Sequence, residues 1–174
     1  MTLPELAKLS VETYLKEGKI IEPPADLSEE FLQKKSGVFV TIEENGKLRG
    51  CIGTYLPTKI NIAEEIIHNA IAAAIEDYRF DSIDEKELSS LTYTVYILND
   101  PEPLKNIKTL NPRKFGIIVK TTLSPVKTGL LLPDLDGVNT VEQQIQICCQ
   151  KGGIDKEKEK FIIFCFTVKK HDDK

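Results

Sequence analysis

Asn45-Gly46 stands between two runs that read as strands, Val38 to Ile42 and Leu48 to Tyr55. A two-residue type I′ turn needs positive φ at both central positions, and Asn-Gly supplies it with little strain. The pair therefore predicts an antiparallel hairpin and sets its register. Glu44 faces Lys47, Ile42 faces Arg49, Thr41 faces Gly50, Val40 faces Cys51 and Phe39 faces Ile52. Alternation then puts Val40, Ile42, Arg49 and Cys51 on one face and Phe39, Leu48 and Ile52 on the other, with both faces largely buried.

The second strand of this hairpin is costly as a plain strand. Leu48-Arg49-Gly50-Cys51-Ile52-Gly53-Thr54 carries two interior glycines, which weaken a sheet and mark places where another backbone or a ligand comes close. An arginine sharing an apolar face with Cys51 requires a carboxylate or an anionic ligand.

The remaining elements follow from local signals. Thr2 with Glu5 is a capping box for a first helix that Gly18 closes, Pro23-Pro24 makes an extended linker, and Ser28 caps a short turn carrying Phe31 and Leu32. Asn61 caps a second main helix with an apolar stripe through Ala63, Ile66, Ile67, Ala70, Ile71 and Ala74. It ends near Asp77-Tyr78-Arg79-Phe80-Asp81, where two carboxylates bracket an arginine. Strands are predicted at Leu91 to Leu98, Phe115 to Lys120, Thr128 to Leu132 and Phe161 to Val168. Thr140 with Gln143 caps a third helix, terminated by Gly152-Gly153. Six strands with hairpin-type links and three main helices that do not alternate with them give an α+β fold built on a mostly antiparallel sheet.

A chain of 174 residues supports one domain over 1–174, with room for a division into two lobes. A net charge of −4, with Lys and Arg scattered among Asp and Glu, argues against nucleic acid and anionic lipid as partners. No apolar run approaches the roughly 20 residues of a membrane helix, and the start of the chain lacks a signal-peptide pattern. The expectation is a cytoplasmic protein with reduced thiols at Cys51, Cys148, Cys149 and Cys165. Their spacing fits neither a disulfide framework nor a zinc site.

Cys51 is the candidate catalytic residue, since flanking glycines would expose its sulfur and leave backbone N–H groups for an oxyanion. A buried structural thiol is the competing reading. Of the two histidines, His171 falls in a polar tail and His68 lies off the apolar stripe of its helix, so a Cys-His pair has little support. Arg49 reads either as an anion clamp or as the partner of a structural carboxylate such as Asp77 or Asp81. Asp77 and Arg79 can join that network or form an ion pair that orders their loop. Gly50, Gly53 and Thr54 complete the candidate binding set. No metal site and no cofactor are predicted.

The Leu48 to Thr54 stretch, preceded by Val38-Phe39-Val40-Thr41, resembles the signature of the AMMECR family. Asn69 to Ala74 leading into Asp77-Tyr78-Arg79-Phe80, then Gly129 to Pro133, then Cys149 to Ile154, resemble further family blocks in the same order. Tyr78 departs from the usual proline and Gly152 from the usual alanine. The resemblance implies an α+β fold, sometimes in two lobes. It also implies a prokaryotic gene neighbourhood shared with a Memo-like protein and a radical-SAM enzyme, which makes those two the expected partners, while implying no established reaction.

Two functions follow as expectations. The first is a ligand- or partner-binding module working through the hairpin on a small anionic group, for which Gly53→Val removes binding at little cost in stability. The second is an enzyme with Cys51 as thiolate nucleophile and Arg49 as anion clamp. A structural alternative makes the glycines the places where a helix packs closely against the strand, so that any substitution there unfolds the protein.

Overall fold

The computed structural model describes residues 1–173, which form two compact units. The first comprises Met1–Leu98 together with the chain from Lys169 onward, and the second is Asn99–Val168.

In the first unit, α1 (Leu3–Glu17) starts at the predicted capping box, with Glu5 N donating to Thr2 Oγ1 at 3.3 Å and Thr2 N to Glu5 Oε2 at 2.7 Å. Gly18 ends it at φ 67°. The short α2 (Glu29–Gln33) forms as expected, but the Ser28 side chain makes no capping bond. After β1 (Val38–Glu44) and β2 (Lys47–Thr54) comes α3 (Ile62–Ile75), whose cap is the bond from Glu64 N to Asn61 Oδ1 at 2.8 Å. A 3-10 turn at Glu85–Ser90 leads into β3 (Leu91–Leu98). The last strand, β8 (Val168–Asp172), returns to this sheet, whose order is β2-β1-β3-β8.

The second unit holds β4 (Glu102–Pro103), β5 (Gly116–Thr121), β6 (Thr128–Leu131), α4 (Val141–Lys151) and β7 (Phe161–Phe166), in sheet order β4-β7-β5-β6. The expected α+β antiparallel architecture is present, with its strands divided between two four-stranded sheets. Two strands, β4 and β8, lie outside the six that the sequence predicts. The first is too short to show periodicity. The second is polar and carries His171, which belongs to a strand with its ring edge-on to Phe31 at 6.1 Å, not to a solvated tail.

Helices α1 and α3 cover one face of the first sheet. Leu6 and Val11 from α1 and Ile66 and Ala70 from α3 bury Val38, Val40, Ile42, Tyr93 and Val95, each almost fully removed from water. Burying an Ile or Val side chain is worth about 1.5–3 kcal/mol, so this cluster holds the unit together.

The Asn45-Gly46 turn forms with φ of 51° and 75°. Beyond it the register departs from a plain two-residue hairpin. Glu44 faces Lys47 and Glu43 faces Leu48, but Ile42 then faces Gly50, leaving Arg49 as an extra residue. This β-bulge moves every later pair by one place, so Cys51 faces Thr41, Ile52 faces Val40 and Gly53 faces Phe39. Cys51 therefore lies on the face of Phe39 and Thr41, not with Val40 and Ile42 as the unbulged register requires. Ile52 takes the core position instead.

Both hairpin glycines have intramolecular reasons. Gly50 sits in the row that α3 covers, and a Cβ there would run into the Ala73 carbonyl of the helix. Gly53 lies beneath the Phe39 ring, and a Cβ would also come within 2.5 Å of the Val38 carbonyl oxygen. A valine at Gly53 is thus expected to cost stability, through Phe39 and the Val38 carbonyl of β1, whereas the close approach of a helix applies to Gly50 alone of the two. The second unit repeats the device, since a Cβ on Gly129 in β6 would overlap the Cys148 carbonyl of α4.

Candidate functional site

The candidate residues gather along β2 and its free edge, with Cys51 on the outer face and Gly50 and Thr54 on the side of α3. β2 is the edge strand of its sheet, so alternate backbone groups along it need partners other than a neighbouring strand. The segment after α3 provides them. Cys51 N donates to Asp77 Oδ2 at 2.9 Å, and Arg79 Nη2 donates to the Cys51 carbonyl at 3.4 Å.

Asp77 is the hinge of this arrangement. It is 5% exposed and accepts from Arg79 Nε at 2.9 Å, from Arg79 Nη2 at 2.7 Å and from the Arg79 backbone at 3.2 Å. The Arg79 guanidinium, and after it the Cys51 amide, pull its pKa down to about 2 against the opposing effect of burial. Asp77 and Arg79 are thus a loop-ordering pair that also caps the edge of the signature strand. Arg79 remains half-exposed, and its Nη1 makes no hydrogen bond among the described residues.

Arg49 takes neither of the carboxylates expected for it. The bulge lets its side chain leave the ladder and meet Glu87, with Nε to Oε2 at 2.7 Å and Nη2 to Oε1 at 3.0 Å. Asp81 offers only its backbone carbonyl, 2.8 Å from Nη1. The bidentate bond raises the Arg49 pKa and lowers that of Glu87. Glu87 in turn accepts from Asp84 N at 2.7 Å, so one carboxylate caps the 3-10 turn and anchors the bulge. Arg49→Lys is expected to lose about 1–2 kcal/mol, because an ammonium cannot reproduce the fork, and the urea midpoint should fall with an unchanged m-value.

Thr54 points to the helix side and donates from Oγ1 to Glu65 Oε1 at 2.6 Å. Glu65 is 1% exposed and also accepts from Thr58 N, Thr58 Oγ1 and Lys59 N at 2.7, 2.8 and 2.7 Å. Burial works to raise its pKa, but the bonds from Thr54, Thr58 and Lys59 outweigh it and hold the carboxyl below its ordinary value. Glu65 folds the 54–59 loop onto α3. Asn69 ties the same helix to β1 by donating from Nδ2 to the Val38 carbonyl at 2.9 Å. Counting from Ile62, Glu65 and Asn69 fall at core positions i+3 and i+7. A polar residue in an apolar stripe was the signal that could have found them.

Cys51 itself is half-buried on the sheet face away from α1 and α3, with its Sγ 3.2 Å from Thr41 Oγ1. Thr94 on β3 faces Thr41, and Tyr96 faces Phe39, so the same surface continues across the sheet. His68 is engaged elsewhere, through Nδ1 and the Glu64 carbonyl at 2.9 Å. By contrast Cys148 is fully buried, and burial pushes its thiol up to about 12. Among the described residues no group of three or more His, Cys, Asp or Glu side chains could hold a metal ion, and no helix is long and apolar enough to cross a membrane.

A bulged, glycine-bearing hairpin whose edge is sealed by a buried aspartate and an arginine, within an α+β chain of two antiparallel four-stranded sheets, defines a recognisable class of domain. The chain belongs to the AMMECR1 family, whose sequence model matches residues 4–171. It is 46% identical over 162 residues to a Thermotoga maritima protein, covering 92% of this chain and 91% of that one. It is 44% identical over 170 residues to a Clostridium acetobutylicum protein, covering 97% of this chain but 35% of that longer relative. The crystal structure of an uncharacterized protein from Pyrococcus horikoshii shares the fold at a TM-score of 0.85 and 31% identity, covering 97% of this chain and 88% of that one.

Proposed function

We propose that this chain is a binding module whose working surface is the loop–edge constellation of Cys51, Asp77, Tyr78 and Arg79, and that it docks an anionic group of a protein partner. The observation that carries the reading is Arg79. Its Nε and Nη2 are fixed by Asp77 and the Cys51 carbonyl, while among the described residues Nη1 makes no hydrogen bond and the side chain is half-exposed. A guanidinium held in place on one side and open on the other is preorganised for a carboxylate or phosphate. Beside it, Tyr78 is 95% exposed on the same pinned loop, and interfaces draw their binding energy from such Tyr and Arg side chains.

Arg49, Gly50, Gly53 and Thr54 then shape this surface through Glu87, α3, Phe39 and Glu65 rather than touching the partner. The family resemblance suggests a radical-SAM enzyme or a Memo-like protein as that partner. One observation favours a second reading, a Cys51 thiolate nucleophile, because the Thr41 hydroxyl is placed to donate to Sγ.

The test is binding of the purified chain to a purified Memo-like protein and to a purified radical-SAM enzyme, alongside cysteine-resolved iodoacetamide labelling from pH 6 to 9. Tyr78→Ala, at a position 95% exposed, is expected to weaken binding about tenfold, or about 1.4 kcal/mol, at unchanged thermal midpoint. Failure of the wild type to bind either protein sinks the partner assignment. Cys51 alkylation well below the free thiol value of about 8.5 transfers the argument to covalent chemistry.

A further inference from the structure

The second unit carries an apolar cavity that the reading above does not use. β4 is two residues long, pairing Glu102 with Cys165 and Pro103 with Phe164. Leu104 N adds one bond to the Ile163 carbonyl at 2.8 Å, and the chain then turns away, with the Asn106 side chain capping a 3-10 turn at Ile107–Thr109. β7 is six residues long and pairs with β5 along its whole length. The end of β7 at Phe161 and Ile162 therefore has no strand beside it on the β4 side among the described residues. The gap is a cavity of about 410 Å³, lined by Pro103, Leu104, Ile107 and the Phe161 to Phe164 stretch of β7. Ile107 and Ile162 are 51% and 48% exposed, unusual for large aliphatic side chains that line a concavity.

The charges around it run against those of the chain. The protein carries −4 overall, yet lysines flank the lining residues: Lys105 follows Leu104, Lys108 follows Ile107, Lys160 precedes Phe161, and Lys120 faces Ile162 across the ladder. Among the described residues none of these four makes an ion pair, whereas Lys127 and Lys158 nearby in sequence are paired with Glu159 and Asp155. Glu102 is the one acidic neighbour of a lining residue. An apolar lining whose neighbours along the chain and across the ladder include lysines without ion pairs among the described residues complements a molecule with an apolar body and an anionic end. We propose that this cavity is a binding site for a small apolar carboxylate, such as a medium-chain fatty acid. The site lies wholly within Asn99–Val168 and is independent of the Cys51 surface.

The test uses the intact chain and the fluorescent apolar anion anilinonaphthalene sulfonate, displaced by decanoate below its micelle-forming concentration. Saturable one-to-one fluorescence is expected. Decanoate should displace the probe at least about tenfold more effectively than decanol or decyltrimethylammonium. Ile162→Asp, at a half-exposed position, should abolish the signal, and Lys108→Glu with Lys160→Glu should weaken decanoate about tenfold while leaving decanol unchanged. Thermal melts of the same variants confirm folding. Absence of saturable binding, equal displacement by decanol, probe binding undiminished in folded Ile162→Asp, or decanoate affinity unchanged in the double lysine variant would each overturn the proposal. Tyr78→Ala should have no effect in this assay, which separates its outcome from that of the partner-binding reading.

Discussion

Gly50→Val should lose at least about 3 kcal/mol, and at physiological temperature is expected to leave little folded first unit. The valine Cβ would enter the Ala73 carbonyl of α3, and both groups in collision are backbone, so rotamer adjustment offers no escape. Relief requires α3 to lift from the sheet. That exposes Ile66, Ala70 and Ala73 along with Val40 and Ile42, which form the centre of the core. Gly50→Ala meets the same carbonyl and should show most of the effect. Gly46→Ala is the control for backbone entropy and strain at φ 75°, where no atom lies near a Cβ, and should cost only about 1 kcal/mol. Urea denaturation with a constant m-value is the measurement, and a Gly50→Val protein as stable as Gly46→Ala would refute close helix packing as the reason for this glycine.

Asp77→Ala is expected to cost about 3 kcal/mol, because it leaves the Cys51 amide on an edge strand and the Arg79 guanidinium without their acceptor. The same carboxylate sets an acid sensitivity whose sign is fixed. Its folded pKa lies at about 2, below the ordinary 3.8, so its contribution is fully present above about pH 4 and is lost as pH falls through 2. The shift corresponds to about 2 kcal/mol. Asp77→Asn keeps the shape but removes the charge, and its stability should vary less between pH 4 and 2 than that of the wild type. Parallel acid titrations of the two proteins by circular dichroism would show it. Identical acid curves would mean that Asp77 is not the anion holding the 77–82 segment to β2.

The contrast between Arg49 and Arg79 shows how far sequence reasoning reached. Both arginines were recognisable as needing acceptors, and Asp77 with Arg79 as a pair that orders its own loop. The partner of Arg49 was not recognisable. Glu87 lies 38 residues away, beyond a loop whose path no local rule sets, and Asp77 and Asp81 were nearer carboxylates in a more suggestive pattern. Glu65 was hidden for another reason. It is a charged residue on the apolar stripe of α3, and the backbone and hydroxyl groups that satisfy it come from the 54–59 loop, whose path no local signal sets.

By itself, the sequence determined the Asn45-Gly46 turn, the caps at Thr2, Asn61 and Thr140, the stripe of α3, strand β3 to the residue and the α+β antiparallel class. These are set by φ preferences, by side-chain-to-backbone bonds spanning three or four residues, and by periodicity, all of which act locally. Only the tertiary structure decided that Arg49 is bulged out of the ladder, that Cys51 consequently faces away from the helices, that Glu87 and Asp77 divide the two arginines, and that the strands form two sheets. A one-residue bulge changes little in local energy yet reverses which face every later side chain occupies. It is selected by the whole set of contacts it permits, here the fork of Arg49 on Glu87 and the seat of Gly50 beneath Ala73.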